Sequence, residues 1–242
     1  MYYDKWAKVY DLVYGDYKPD IQFYKDEAKK TKGKVLEIAC GTGRIYLELL
    51  KEGVDAYGID LSSEMLKALK KNAKNLGLNP KIKQADMKTF NLKDKFSLII
   101  IPFRAFLHNF TAEDQIKTLK NIKKHLLSNG KLILNFFLPN YRIMASNFNK
   151  QVKRNIKTKS GKLLLLDKSY FVDEPNQIIE FKHTLVKNNK KIWSGKLKLS
   201  LIYKKEFELL LSIAGFKKWK VYGGFNYEPL KSSKQEMVWI VQ

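Results

Sequence analysis

From residue 35 onward the chain alternates short apolar runs with longer stretches in which hydrophobic residues recur every three or four positions. Residues 35–39, 54–59, 81–85, 96–102 and 130–138 read as strands. Several are apolar on both parities, as strands covered on both faces of a parallel sheet must be. Between them, residues 45–52, 63–76 and 111–127 have helical spacing. Ser62 or Ser63 can cap the second of these helices, and Thr111, followed by Glu113 and Asp114, opens the third. This alternation predicts an α/β class fold with a doubly wound, mostly parallel sheet, seven-stranded once two final strands at 216–225 and 236–242 are counted.

Two segments depart from that pattern. Residues 1–32 are helical and aromatic, with Trp6, Tyr10, Tyr14, Tyr17 and Tyr24 set among lysines and aspartates. Residues 160–203 switch to a period of two: Trp193, Gly195, Leu197, Leu199, Leu201 and Tyr203 share one parity, while Lys196 and Lys198 lie on the other. Turn-forming residues at 174–176 and 187–190 join this strand to two earlier ones. The expectation is an antiparallel, three-stranded β insertion after the fifth core strand. Four regions follow: a helical lid at 1–32, a cofactor-binding core at 33–140, a substrate-side insertion at 141–203, and a helix with a strand hairpin at 204–242.

Composition narrows the class. The 242 residues are 45% hydrophobic and 29% charged, ordinary for a globular chain. No apolar run approaches the roughly 18 residues of a membrane span. The first residues lack the apolar stretch of a signal peptide, so a cytoplasmic protein is expected. The single cysteine, Cys40, excludes a disulfide framework, a cysteine-built zinc site and an iron–sulfur cluster. A net charge of +22 raises the question of a polyanionic partner, yet only Arg44, Arg104, Arg142 and Arg154 are arginines. Base and phosphate recognition favours the arginine fork, so a lysine-rich composition explains the charge better. Residues 142–162, with seven basic side chains and no acid, keep RNA as the alternative partner.

Candidate chemistry concentrates after the first strand, at Glu37-Ile38-Ala39-Cys40-Gly41-Thr42-Gly43-Arg44. Glycines there let the backbone turn sharply and approach a ligand, while the following helix offers unpaired amides. A nicotinamide fingerprint would carry glycine or alanine where Tyr46 stands, and a Walker loop would need Gly-Lys-Ser/Thr. Neither is present. Asp60 ends the second strand, 17 residues after Gly43, and Asp86 with Met87 ends the third. A carboxylate at the first position can accept both hydroxyls of a ribose lying across the switch point. One at the second can accept an adenine amine, with an apolar neighbour against the ring.

These segments, with residues 126–140, resemble the successive motifs of class I S-adenosylmethionine-dependent methyltransferases, which have a Rossmann-like fold. The resemblance implies S-adenosyl-L-methionine as cofactor, with Ala39, Gly41 and Gly43 around its methionine part. It likewise implies Asp60 at the ribose, Asp86 and Met87 flanking the adenine, Leu61 and Met65 among the cofactor-binding residues, and Pro102 and Phe103 at the methionine end. Ala39 stands where many members have glycine. The segment Val9–Gly15, Phe106-Leu107-His108 and the β insertion are similar to small-molecule N-methyltransferases of the glycine and aminosugar types. That likeness implies that Tyr10 and Tyr14 close over the sulfonium, and that His108 and Arg104 face the acceptor.

Methyl transfer from a sulfonium is an in-line displacement that gains most from alignment, worth roughly 7–11 kcal/mol. Aromatic faces suit a cationic sulfur. His108 is the general-base candidate because imidazole titrates near neutrality. His125 reads as structural, and His183 as a core histidine or a pocket wall. No Asn/Asp-Pro-Pro-Tyr/Phe signature follows the fourth strand, which disfavours a nucleobase amine as acceptor, and no metal-ligand spacing is present. The reading is methyl transfer to nitrogen or oxygen of a small molecule. An RNA acceptor and a non-catalytic adenosyl-binding protein are the alternatives.

Overall fold

A computed structural model describes residues 2–158 and 161–242. Strands β1 (Val35–Ile38), β2 (Ala56–Asp60), β3 (Lys81–Gln84), β4 (Phe96–Ile101), β5 (Leu126–Phe137), β10 (Trp219–Tyr222) and β11 (Glu236–Val241) form one sheet in the order β10-β11-β5-β4-β1-β2-β3. The first five pair in parallel; β11 runs antiparallel to both β5 and β10. All four residues of β1 are buried, because helices cover both faces. Edge strand β3 carries exposed lysines that discourage further pairing. The strand order reverses between β1 and β4, which opens a crevice at the carboxyl ends of the parallel strands.

The helices between these strands are α4 (Tyr46–Lys51), α5 (Ser63–Asn75) and α6 (Ala112–His125). Ser62 caps α5 by accepting from the Met65 amide, and Thr111 caps α6 through the Asp114 amide. Helix α6 stops at His125, and the chain is already extended at Leu126, so β5 begins earlier than the sequence pattern predicts. Helix α8 (Lys204–Ile213) precedes the final hairpin.

Helices α1 (Tyr2–Trp6), α2 (Tyr10–Tyr14) and α3 (Ile21–Lys30) lead into β1. Three aspartates tie this segment to the turn after β1 and to α5. Ser62 Oγ donates to Asp4 at 2.6 Å, and Thr42 Oγ1 donates to Asp11 at 2.5 Å. The Arg44 guanidinium grips Asp20 through two bonds of 2.6 and 2.7 Å, both partners being almost wholly buried.

The insertion has four strands rather than the expected three. After α7 (Tyr141–Asn147) come β6 (Gln151–Thr158), β7 (Gly161–Asp173), β8 (Ile178–Lys187) and β9 (Lys190–Ser200), an antiparallel sheet in sequential order. Strand β6 escapes pattern reading because it is a lysine-rich edge strand in which Val152 is exposed and Ile156 is buried against the core. The turn residues Asn188 and Asn189 both adopt left-handed φ, the geometry of a two-residue hairpin. Basic residues 142–162 do not share one surface: Arg142 lies on α7, and the neighbours Lys153 and Arg154 point to opposite faces of β6. Lys159, also in that stretch, lies outside the described residues. Among the described residues no helix is long and apolar enough to cross a membrane.

Candidate active site

The turn after β1 is built on left-handed backbone. Ala39 (φ 58°), Gly41 (φ 55°) and Gly43 (φ 95°) all have positive φ, which costs a non-glycine residue such as Ala39 roughly 1–2 kcal/mol. Asp60 holds the turn from the next strand. Its Oδ2 accepts the Gly41 amide and its Oδ1 the Ser62 amide, both at 2.8 Å. Only 9% of Asp60 is exposed. Burial pushes its carboxyl pKa up, and these two amides pull it back. Asp86 in turn accepts the Lys88 amide at 2.8 Å.

A cavity of about 220 Å³ opens over this arrangement. Ala39, Gly41, Asp60, Leu61 and Met65 form one side; Asp86, Met87, Pro102 and Phe103 form the other. Tyr10 and His108 close it, together with Tyr3. Eleven of the expected cofactor and catalytic residues therefore share one cavity. Gly43 stands behind it: a Cβ there would lie 2.8 Å from Leu47 Cγ, so this glycine is required by close packing against Leu47 and Leu69.

A second cavity of about 520 Å³ lies between the core and the insertion sheet. Tyr14 and Arg104 line this one. The two cavities have Tyr3, Tyr10, Phe103 and His108 in common, so those four side chains form the wall between them. Tyr3 is the residue sequence reasoning missed. Its hydroxyl is 2.7 Å from His108 Nε2, and its ring meets the imidazole edge-on. The aromatic spacing Tyr3, Trp6, Tyr10, Tyr14, Tyr17 was the signal that could have found it.

Burial lowers the His108 pKa to about 4, against an opposing hydrogen bond to the Lys198 backbone. In the neutral imidazole with its proton on Nδ1, Nε2 accepts the Tyr3 O–H. Burial raises the Tyr14 hydroxyl to about 12, with the Asp167 charge adding to the effect. Tyr10 is also shifted upward by burial. All three groups are therefore neutral at physiological pH.

Phe103 and Arg104 both have left-handed φ, 55° and 68°. This costly pair is fixed from β5 and β11. Asn135 Oδ1 accepts the Phe103 amide at 2.9 Å and the Tyr24 hydroxyl at 2.8 Å, while Asn135 Nδ2 donates to Glu236 at 2.8 Å. Glu236 also receives Arg104 through Nε (3.1 Å) and a terminal nitrogen (2.8 Å). Arg104 thus borders the second cavity with its fork already occupied. His125 is structural, as expected: Nδ1 bonds the Asn121 carbonyl and Nε2 accepts the Leu92 amide. Among the described residues, no group of three His, Cys, Asp or Glu side chains is placed to hold a metal ion.

The first cavity fits an adenosylated methionine. A Cβ built on Gly41 meets nothing closer than the Ala39 carbonyl at 4.0 Å, so the cradle is open where the ligand backbone would lie. Each Asp60 oxygen keeps a lone pair after its amide bond, enough for two ribose hydroxyls. Nearby, the buried Glu37 has Oε2 with no partner among the described residues, and its carboxyl is pushed far above the usual range by burial. A charged residue inside the buried run Val35–Ile38 was its sequence signal.

Residues 35–130 match the family model of the methyltransferase domain. The dTDP-3-amino-3,4,6-trideoxy-alpha-D-glucopyranose N,N-dimethyltransferase of Streptomyces venezuelae is 29% identical over 141 residues, covering 55% of this chain and 58% of that protein. The glycine/sarcosine N-methyltransferase of Parasynechococcus marenigrum (strain WH8102) is 31% identical over 138 residues, 54% of this chain and 47% of that protein. The chain thus spans about half the length of the curated relatives it matches. Among solved structures, an S-adenosylmethionine-dependent methyltransferase from Clostridium acetobutylicum ATCC 824 superposes with a TM-score of 0.82 at 18% identity, over 99% of this chain and 98% of that one. Streptomyces venezuelae DesVI gives 0.75 at 20% identity, over 97% of each. These likenesses extend the shared fold across the insertion and the final hairpin. The donor motifs thus gather at one switch-point cavity, built largely by the segment, residues 35–130, that matches the methyltransferase-domain family model.

Proposed function

We propose that the protein transfers a methyl group from S-adenosyl-L-methionine, held in the first cavity, to a nitrogen of a small molecule held in the second. The observation that carries this reading is the wall of Tyr3, Tyr10, Phe103 and His108 shared by both cavities. The donor supplies an electrophilic methyl on a sulfonium. In this reading Asp60 and Asp86 bind the sugar and base, and the turn at Ala39 and Gly41 takes the methionine part. Tyr10 and Tyr14 present neutral aromatic faces that favour a cation and exclude water. Tyr3 donates an O–H hydrogen bond to His108 Nε2 and keeps oxygen lone pairs free to orient an acceptor N–H.

Nitrogen is favoured over oxygen by the same pair. An imidazole with a pKa of about 4 cannot strip a hydroxyl, whereas a neutral amine already carries the attacking lone pair. His108 therefore orients rather than deprotonates. We further infer a cytoplasmic setting, in which the buried Cys40 thiol stays reduced. Calorimetry with S-adenosyl-L-methionine tests the reading first and should show one site per chain. A panel of small amines should then be methylated with matching formation of S-adenosylhomocysteine. A folded protein that binds no donor would overturn the proposal.

A further inference from the structure

The second cavity contains a histidine–carboxylate pair that the donor chemistry does not use. Asp167 on β7 and His183 on β8 face each other across the insertion sheet, with His183 Nδ1 2.5 Å from Asp167 Oδ1. Both side chains line the cavity. His183 is 5% exposed, wedged edge-on against Trp6 and stacked with Phe181, and its Nε2 has no partner among the described residues. Asp167 retains about a quarter of its side-chain exposure, and its second oxygen likewise has no partner there.

Charge accounting identifies what that oxygen is for. Two carboxylates line the cavity among the described residues, and Glu236 is occupied by Arg104 and Asn135. Asp167 is the one left with an open acceptor. The guanidinium of Arg104 is neutralised, and Lys234 lies exposed at the mouth. Arg154, on the same parity of β6 as Val152, acts on Tyr14 together with Asp167 but is itself exposed, so the open carboxylate oxygen of Asp167 lies among aromatic and aliphatic walls such as Trp6, Tyr14, Phe148 and Phe181. A carboxylate in such surroundings is relieved by a cation, and aromatic faces add to that attraction.

We propose that Asp167 is the recognition site for a protonated amine on an otherwise apolar acceptor, and that His183 is a positioning residue that fixes the Asp167 carboxylate through Nδ1–H. Ring contacts lead from His183 to Trp6, from Trp6 to Tyr14, and from Tyr14 to Phe103 in the wall. The amine bound at Asp167 is thus a handle within the acceptor's own length of the donor. No bond is made or broken at the pair. The inference rests on the methyl-transfer reading for the purpose of the site, but its test does not need turnover.

The test is a ligand-observed NMR titration of the whole chain with three matched probes: 2-phenylethylamine, 2-phenylethanol and phenylacetate. The amine should bind about ten- to hundredfold tighter than the alcohol, the range of a charge-assisted hydrogen bond, and phenylacetate weakest. Asp167→Asn should erase the amine preference while leaving the alcohol unchanged. His183→Phe should shrink the amine-to-alcohol ratio, and His183→Gln, whose amide can still donate to Asp167, should restore part of it; loss of mere packing would lower all three affinities together. Should Asp167→Asn fail to fold, the wild-type ratio and the His183 variants carry the decision. An amine that binds no tighter than its alcohol, none of the probes binding included, overturns the proposal, as does a preference that survives Asp167→Asn. Donor calorimetry run in parallel reports separately on the methyl-transfer reading.

Discussion

Asp60→Asn separates holding the fold from holding the donor. The carboxylate accepts two backbone amides through different oxygens, from Gly41 and from Ser62. Asparagine keeps one acceptor and turns an NH2 toward the other amide, so one charge-assisted bond of about 1.5–3 kcal/mol is lost. Set against that, burial raises the Asp60 pKa, which means the anion itself is disfavoured in the fold at neutral pH. The sign follows from linkage: a carboxyl with a raised native pKa contributes stability below its unfolded pKa and loses it as pH rises through the native one. A neutral isostere escapes that loss. The two effects offset, and thermal unfolding should place the variant within about 1 kcal/mol of wild type. Donor binding has no such offset. One ribose hydroxyl faces a donor instead of an acceptor, and calorimetry should show S-adenosylhomocysteine affinity falling about ten- to hundredfold. Unchanged affinity, or a fall matched by an equal loss of stability, would refute the role given to this carboxylate.

Four further expectations test neighbouring parts of the site. At Gly43 an added Cβ lies 2.8–3.0 Å from Leu47 and Leu69 at φ 95°, so Gly43→Ala should cost about 2–4 kcal/mol in chemical denaturation. Gly41→Ala has open space at φ 55° and should cost only about 1 kcal/mol, yet impair donor binding more strongly. Asp20→Ala strands the buried Arg44 and should destabilise by about 3–5 kcal/mol in urea titration; Asp20→Glu recovering full stability would be compatible with this, but a neutral Asp20→Ala would not. The pKa of His108 falls from 6.5 in the unfolded chain to about 4 in the fold. Its contribution is therefore full above 6.5 and is withdrawn as pH falls toward 4, by about 2 kcal/mol once its partial contact with cavity water is allowed for. His108→Gln should flatten that part of the acid limb of a stability–pH curve, and an unaltered limb would show that the imidazole is not buried as described.

How the two cavities differ in legibility has a physical cause. Donor-side residues come in short sets, each directly after a parallel strand, and the doubly wound topology gathers strand ends at one crevice. Placing Asp60 and Asp86 therefore required only the strands to be found, whereas the roles of Ala39 and Phe103 followed from the family resemblance. Gly43 was grouped with them because a motif records that a glycine is present, not whether ligand or leucine occupies the space beside it. Acceptor-side residues obey no such rule. Tyr3, Asp167, His183 and Glu236 are brought together by an insertion whose first strand has no hydrophobic signature, and by a β11 strand more than two hundred residues from α1.

The Asp167–His183 pair shows how far parity alone can reach. His183 was assigned to the face of Phe181 and Leu185, and it lies there, stacked on Phe181. Its partner could not be counted out from the turn. Next to that turn Asp173 pairs with Ile178, and a ladder continued in that register would set His183 opposite Lys168. A bulge between Phe171 and Asp173 shifts the register by one residue, so Phe171 meets Ile179 and Asp167 meets His183. Because side chains alternate along a strand, that single extra residue exchanges a lysine for an aspartate beside the histidine. Removing Val172, the extra residue, should heal the bulge while leaving Phe171 opposite Ile179 and Asp167 opposite His183, so the amine preference proposed for the cavity should persist, without any donor-binding side chain being touched. A Val172 deletion that folds, binds S-adenosylhomocysteine normally and no longer prefers 2-phenylethylamine to its alcohol would show that the pairing of Asp167 with His183 does not set the charge recognised in this cavity.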